Sequence, residues 1–253
     1  MKQRAISHFK MELQIYQDSV MTIKKTNSEG FSIYIKDDGT DYLALLHAFL
    51  AGKLDYKLLN SGNADRSVAL VRSQGKKYVI KRDREIDSRI EKKIMNFIFG
   101  PFFSRLIVDI DRAIARGCTV TADLYLVMEK THFRMVTDVY TIHEYIDGTP
   151  LANLRQLKKY IPAIRSCVLS LHAAGLASND IHAGNFILTP HGDIRIIDLS
   201  AKGSRKVCQA NDLLALHRQF NIDVDSTGWV YHLIRLKEQF RFFSRKLRHR
   251  DCH

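Results

Sequence analysis

The sequence predicts an α+β protein. The first half reads as strands with a few helices, and the second half as mainly helical with one short hairpin. Three observations carry this reading: strict alternation in "FSIYIKDDG", two turn signals that split residues 55–83 into three strand-like runs, and apolar steps of three and four in "LKKYIPAIRSCVLSLHAAGL". Strands and helices do not alternate along the chain, so a repeating βαβ series is excluded.

Taken in order, Phe31, Ile33 and Ile35 alternate with Ser32, Tyr34 and Lys36, the period of a half-buried strand. Leu43, Leu45, Leu46 and Leu50 then fall at helical spacing, with Gly52 as a stop. In "DYKLLNSGNADRSVALVRSQGKKYVIKRD" a Ser-Gly-Asn turn and a Gln-Gly turn predict an antiparallel meander rather than a crossover. From Asp83 to Arg116 a helical pair is expected, with Ile90, Ile94, Phe97 and Ile98 on one face and a break at Gly100-Pro101. Two further strands in "DLYLVMEKTHFRMVTDVYTIHEYIDGTPL" end at a Gly-Thr-Pro turn near residue 149, the natural boundary between the halves. Ile161, Ile164, Val168 and Leu171 then line one side of a buried helix.

A chain of 253 residues with 45% hydrophobic content is long enough to bury a sizeable core. Against 27 Asp and Glu stand 39 Lys and Arg, a net charge of +12 that favours anionic partners: nucleic acid, acidic lipid head groups or phosphorylated glycans. The cysteines Cys118, Cys167, Cys208 and Cys252 form no C-x-x-C pair, which predicts neither a zinc site nor a disulfide framework, and a reducing, cytoplasmic compartment. No apolar run is long enough to span a bilayer, and the first twenty residues lack the apolar core of a signal peptide. Because a second methionine, Met21, precedes the first strand pattern, residues 1–20 are read as an N-terminal extension.

The chemistry is concentrated in "ASNDIHAGNFILTPHGDIRIIDLS", Ala177 to Ser200. Asp180 and Asn185 sit five apart in a loop, and Asp198 ends the second of two apolar runs. If those runs pair as a hairpin, Asn185 and Asp198 emerge side by side, and two oxygen ligands there suit a hard cation such as magnesium. Asp180, just before them, is placed to orient an attacking hydroxyl and accept its proton. Upstream, "KKYVIK" puts Lys81 near the end of a strand, where an ammonium can pair phosphate oxygens. Each residue alone has a plainer reading as an Asx turn or a solvated lysine; the four together, in this order, do not.

These stretches carry a resemblance. "YVIK", "EYIDG", "LHAAGLASNDIHAGNFIL" and "IRIIDLS" resemble, in order, the lysine strand, hinge, catalytic loop and metal-binding aspartate of the protein-kinase-like fold. The loop is closer to the D-x-H-x-G-N of aminoglycoside phosphotransferases and lipopolysaccharide sugar kinases than to that of protein kinases. From about Met21 onward the chain is similar to the lipopolysaccharide core heptose(II) kinase family. That resemblance implies a two-lobed fold, with an antiparallel-sheet N-lobe over 21–148 and a short, mainly helical C-lobe over 149–253. It further implies ATP and Mg2+ as cofactors, and the lipopolysaccharide core oligosaccharide on lipid A as acceptor. The place of action is the cytoplasmic face of the inner membrane, with at most peripheral membrane contact, and no nucleic acid is expected as partner. By motif match Asp180 is the catalytic base, Asn185 and Asp198 the metal ligands and Lys81 the phosphate-binding lysine, while Glu144 and Ile146 offer backbone groups to adenine. Asp109 is the expected acidic partner of Lys81, with Glu91 and Asp111 as competitors.

The chain departs from the kinase pattern in places. "NSGNADRS" with the single Gly62 replaces the glycine-rich loop, Ser178-Asn179 stands where His-Arg precedes the catalytic Asp, and Leu199-Ser200 follows Asp198. Two other readings stay open here: a kinase-like phosphotransferase for a different sugar or an aminoglycoside, and a pseudokinase-like binding module. His182 reads best as a loop residue that fixes the catalytic turn, and the basic C-terminal tail with Phe240, Phe242 and Phe243 as a packed helix that can also meet an acidic surface.

Overall fold

A computed structural model describes residues 22–59, 66–84, 101–132, 135–200, 204–224, 228 and 231–236. The extension 1–20, the loop with Gly62, the first helix expected after Asp83 with Glu91, and Phe240 to Phe243 lie outside the described residues.

The first half is built on a sheet of seven antiparallel strands in the order β1-β2-β6-β7-β5-β4-β3. In chain order these are β1 (Ile23–Ser28), β2 (Phe31–Lys36), β3 (Tyr56–Leu59), β4 (Arg66–Ser73), β5 (Lys76–Asp83), β6 (Leu124–His132) and β7 (Met135–Glu144). The expected strand β2 and the meander β3-β4-β5 are both present, but β2 is covered on both faces, Phe31, Ile33 and Ile35 packing on the α1 side and Tyr34 on the other. A Gln74-Gly75 turn with both residues at positive φ closes the β4–β5 hairpin, which is why glycine follows there. Helix α1 (Tyr42–Leu50) starts where the Asp41 carboxylate accepts the Ala44 N–H at 2.9 Å and ends before Gly52. It buries Tyr42, Leu45 and Leu46 against one face of the sheet, together with Ile33, Ile80, Leu126 and Ile142.

Helix α2 (Phe102–Ala115) follows Pro101 and covers the other face. Its stripe of Phe102, Leu106, Ile107, Ile110 and Ala113 meets Leu124, Val127 and Val139. Leu124 and Leu126 would share a face in a regular strand; a register shift between them sends one to each core.

The second half holds α3 (Ile161–Ala173), α4 (Arg205–Phe220) and a small sheet of β8 (Thr149–Pro150), β9 (Phe186–Leu188) and β10 (Ile194–Ile196). Ile164, Val168 and Leu171 face inward, as their spacing predicts. They join Phe186, Ile196, Leu216 and Phe220 in the same apolar cluster as the α2 stripe. One continuous core therefore ties the helical half to the large sheet, and the hairpin bearing the candidate site is anchored in it.

Candidate active site

Antiparallel pairing of β9 with β10 puts Ile196 opposite Phe186, so Asn185 and Asp198 lie at the same end of the hairpin. The Ile197 N–H donates to the Asn185 carbonyl at 2.9 Å, which fixes their relative height. Asn185 closes a 3-10 turn (Ala183–Asn185) and is buried at 6% exposure. Its Nδ2 donates to the Asp180 carbonyl at 2.9 Å, so the amide turns its oxygen the other way, with no donor to it among the described residues. Asp180 keeps an exposed carboxylate whose Oδ2 is 3.8 Å from His182 Nε2. His182 itself caps the turn: its Nδ1 accepts the Gly184 N–H at 3.1 Å. Its role is the one expected from sequence.

Lys81 reaches this hairpin from the large sheet. Strand β5 alternates, with Tyr78 and Ile80 buried in the α1 core and Lys81 on the opposite face, and Lys81 Nζ donates to Asp198 Oδ1 at 3.0 Å. Residues 117 apart in sequence thus form one ion pair. Burial opposes ionisation of Asp198, but the Lys81 ammonium outweighs it and holds the carboxyl below its ordinary range. Asp198 takes a left-handed backbone conformation, φ 60°, which costs about 1 kcal/mol for a non-glycine residue and aims the carboxylate back toward Lys81. His143, on the strand beside Lys81, is pushed down to about 3, first by burial and then by the ammonium, so its imidazole is neutral.

The structure does not bring Asp109 to Lys81. Asp109 is exposed on α2, and the acid that Lys81 meets is Asp198. The competitor Asp111 is buried and engaged elsewhere, accepting from Thr22 Oγ1 at 2.6 Å and facing Lys36 at 3.7 Å. Helical position alone does not tell which acid turns inward.

At the hinge, the Glu144 carboxylate is gripped by Arg195 of β10 through two hydrogen bonds of 2.6 and 2.7 Å, and it also accepts the Asp123 N–H at 3.0 Å. Glu144 therefore spends its side chain on joining the two sheets and its N–H on the Asp123 carbonyl at 3.0 Å, so neither is left for a ligand. Ile146 is buried with Ala122 and Ile187, and Ile197 packs on them, which makes an apolar bed beside the hinge. Its N–H has no hydrogen-bond partner among the described residues. Gly148 is required there: a Cβ would stand 2.3 Å from the Leu188 carbonyl oxygen.

Residues 21–250 match the family described as lipopolysaccharide core biosynthesis protein (WaaY). The chain belongs to the WaaY family. A relative from Escherichia coli, named lipopolysaccharide core heptose(II) kinase WaaY, is 30% identical over 220 residues, covering 87% of this chain and 95% of its own. A second with the same name, from strain K12, is 27% identical over 227 residues, covering 89% and 97%.

Two residues of this WaaY-family site escaped sequence reading. Asp212 of α4 is fully buried and accepts the Ser178 N–H at 2.8 Å, the Asn179 N–H at 2.6 Å and His172 Nε2 at 2.9 Å. It holds the loop just before Asp180, where Asn179 sits at φ 58°. An acid on the buried side of a helix, one turn from both Cys208 and Leu216, is the signal that could have found it. Arg195, the clamp on Glu144, carries the other: a cation at the centre of a short apolar strand.

Proposed function

We propose that this WaaY-family protein is an ATP- and magnesium-dependent kinase that phosphorylates the second heptose of the lipopolysaccharide inner core. The observation that carries the reading is the meeting of Lys81 with Asp198 at 3.0 Å, beside Asn185 and Asp180, which gathers phosphate clamp, cation ligands and base in one place. In this reading 21–148 and 149–253 are the two lobes and residues 1–20 an extension. Adenine lies on the Ile146–Ile187 bed and bonds the hinge backbone at Glu144 and Ile146. Magnesium would take Asn185 Oδ1 and Asp198 from the protein and its remaining ligands from phosphate and water. A bound magnesium supplies charge neutralisation at the phosphates.

The Asp180 carboxylate aligns the heptose hydroxyl with the γ-phosphate and accepts its proton as the new O–P bond forms and the bond to ADP breaks. Lys81 leaves Asp198 for the phosphate oxygens. Positioning and electrostatics supply most of the rate. In this reading the lipid-anchored acceptor is met at the inner-membrane surface.

The test is transfer of labelled phosphate from ATP to lipopolysaccharide from a strain lacking heptose phosphate, with the label located by mass spectrometry. Label on the second heptose is expected. Asp180→Asn should lose roughly 10²-fold or more of the rate, with melting temperature unchanged. Label on another sugar would reassign the acceptor, and near-normal turnover by the variant would remove Asp180 from the chemistry.

A further inference from the structure

A cavity of about 320 Å³ opens on the side of β5 away from Lys81, between α1 and the hinge. Four tyrosines line it, Tyr42, Tyr78, Tyr125 and Tyr145, with Asp38 and Lys77 among the charged residues. Its walls are fixed. Tyr42 stacks on Tyr125 at 4.8 Å and 3°, and Tyr78 stands edge-on to both. Asp38 accepts the Tyr42 hydroxyl at 2.6 Å and the Thr40 N–H at 3.1 Å. Lys77 is held by Asp147 and lies 5.0 Å over the Tyr145 ring.

The hydroxyls of Tyr78, Tyr125 and Tyr145 are different: none has a hydrogen-bond partner among the described residues. Burial, helped by Asp38 at Tyr78 and by Glu144 at Tyr125, raises both phenols above their ordinary range, so they remain donors. Lys76 and Lys77 balance Asp38 and Asp147 in formal charge, which gives a triphosphate no net attraction. An apolar ligand would strand the three hydroxyls, each at the cost of an unmade hydrogen bond. A neutral polyol satisfies them, and the volume, at the lower end of ligand pockets, suits one hexose-sized unit.

We propose that this cavity is a saccharide subsite that holds a non-reacting sugar of the acceptor glycan, on the far side of the sheet from the phosphoryl-transfer site. The assignment to the acceptor rests on the heptose kinase reading above. It gives the enzyme a means of recognising the core oligosaccharide beyond the heptose it modifies.

The experiment is calorimetric titration of the full-length protein with delipidated core oligosaccharide, alongside phosphate transfer to the same oligosaccharide. Tyr78→Phe/Tyr125→Phe removes two hydroxyls and keeps the ring packing, and is expected to weaken binding tenfold or more. Lys76→Gln, on an exposed side chain, is a second variant expected to weaken it less. Equal affinity of wild type and double variant, with transfer to the second heptose intact, overturns the subsite alone. Variant-sensitive binding without heptose transfer upholds the saccharide cavity and overturns the heptose reading. Absence of oligosaccharide binding to the wild type overturns the subsite.

Discussion

Cys167 and Cys208 show how burial sets chemistry at single positions. Burial pushes the Cys167 thiol up to about 12, with Cys118 nearby adding to it, and pushes Cys208 up to about 11, with Asp212 adding to it. Both folded values lie above the ordinary thiol range, so the associated stability is complete below about pH 8.5 and is lost as pH rises through the folded values. At pH 8 neither should take up iodoacetamide in the native protein, and urea should expose both; peptide mapping of the labelled sites checks it. Asp198 has the opposite sign, because an ammonium rather than apolar surroundings decides its charge. Residue types and order were enough to nominate Lys81, Asp180, Asn185 and Asp198. They did not reveal that Lys81 rests on Asp198, nor that Asp109 faces outward, since which side of a helix is buried depends on what packs there.

At the scale of elements, the turn that carries Asp180 depends on α4. Asp212→Ala leaves the buried Ser178 N–H without an acceptor, at a cost of about 1–3 kcal/mol, and removes the acceptor of the partly exposed Asn179 N–H, so an overall loss of about 2–4 kcal/mol is expected in urea unfolding. Activity should fall with it. Asp212→Asn retains one acceptor and should recover only part of both, whereas a merely space-filling role predicts full recovery by this isosteric amide. Strand β1 is absent from the sequence expectations because only Ile23 is half-buried and the rest of the strand is exposed, so no alternation marks it. It exists because β2 offers a paired edge through the Glu29-Gly30 turn. Helix α4 is equally unmarked, since Arg, Lys, Gln, Asn and His interrupt its apolar positions. The meander, by contrast, was legible because its turns carry Gly and its strands are apolar where they are buried.

For the whole molecule, the net charge of +12 favours encounter with an anionic acceptor. Salt screens such attraction over about 8 Å at physiological ionic strength, so raising NaCl from about 50 to 500 mM should raise the KM for lipopolysaccharide several-fold. A neutral oligosaccharide fragment should be much less affected, and steady-state kinetics on both acceptors separate the two. The Glu144–Arg195 clamp and the continuous core make the two halves one mechanical unit around the site.

The sequence by itself determined the α+β class, the meander, the buried helix α3, and the hairpin that brings Asn185 and Asp198 to one end. Those follow from periodicity, turn chemistry and spacing, which are local properties of a chain. The tertiary structure alone decided that Lys81 meets Asp198, that Asp212 anchors the turn before Asp180, that Glu144 is bound by Arg195, and that four tyrosines line one cavity. Each of these joins residues 33 to 117 apart or, in the cavity, from separate elements, and only the packing of those elements brings such groups within reach.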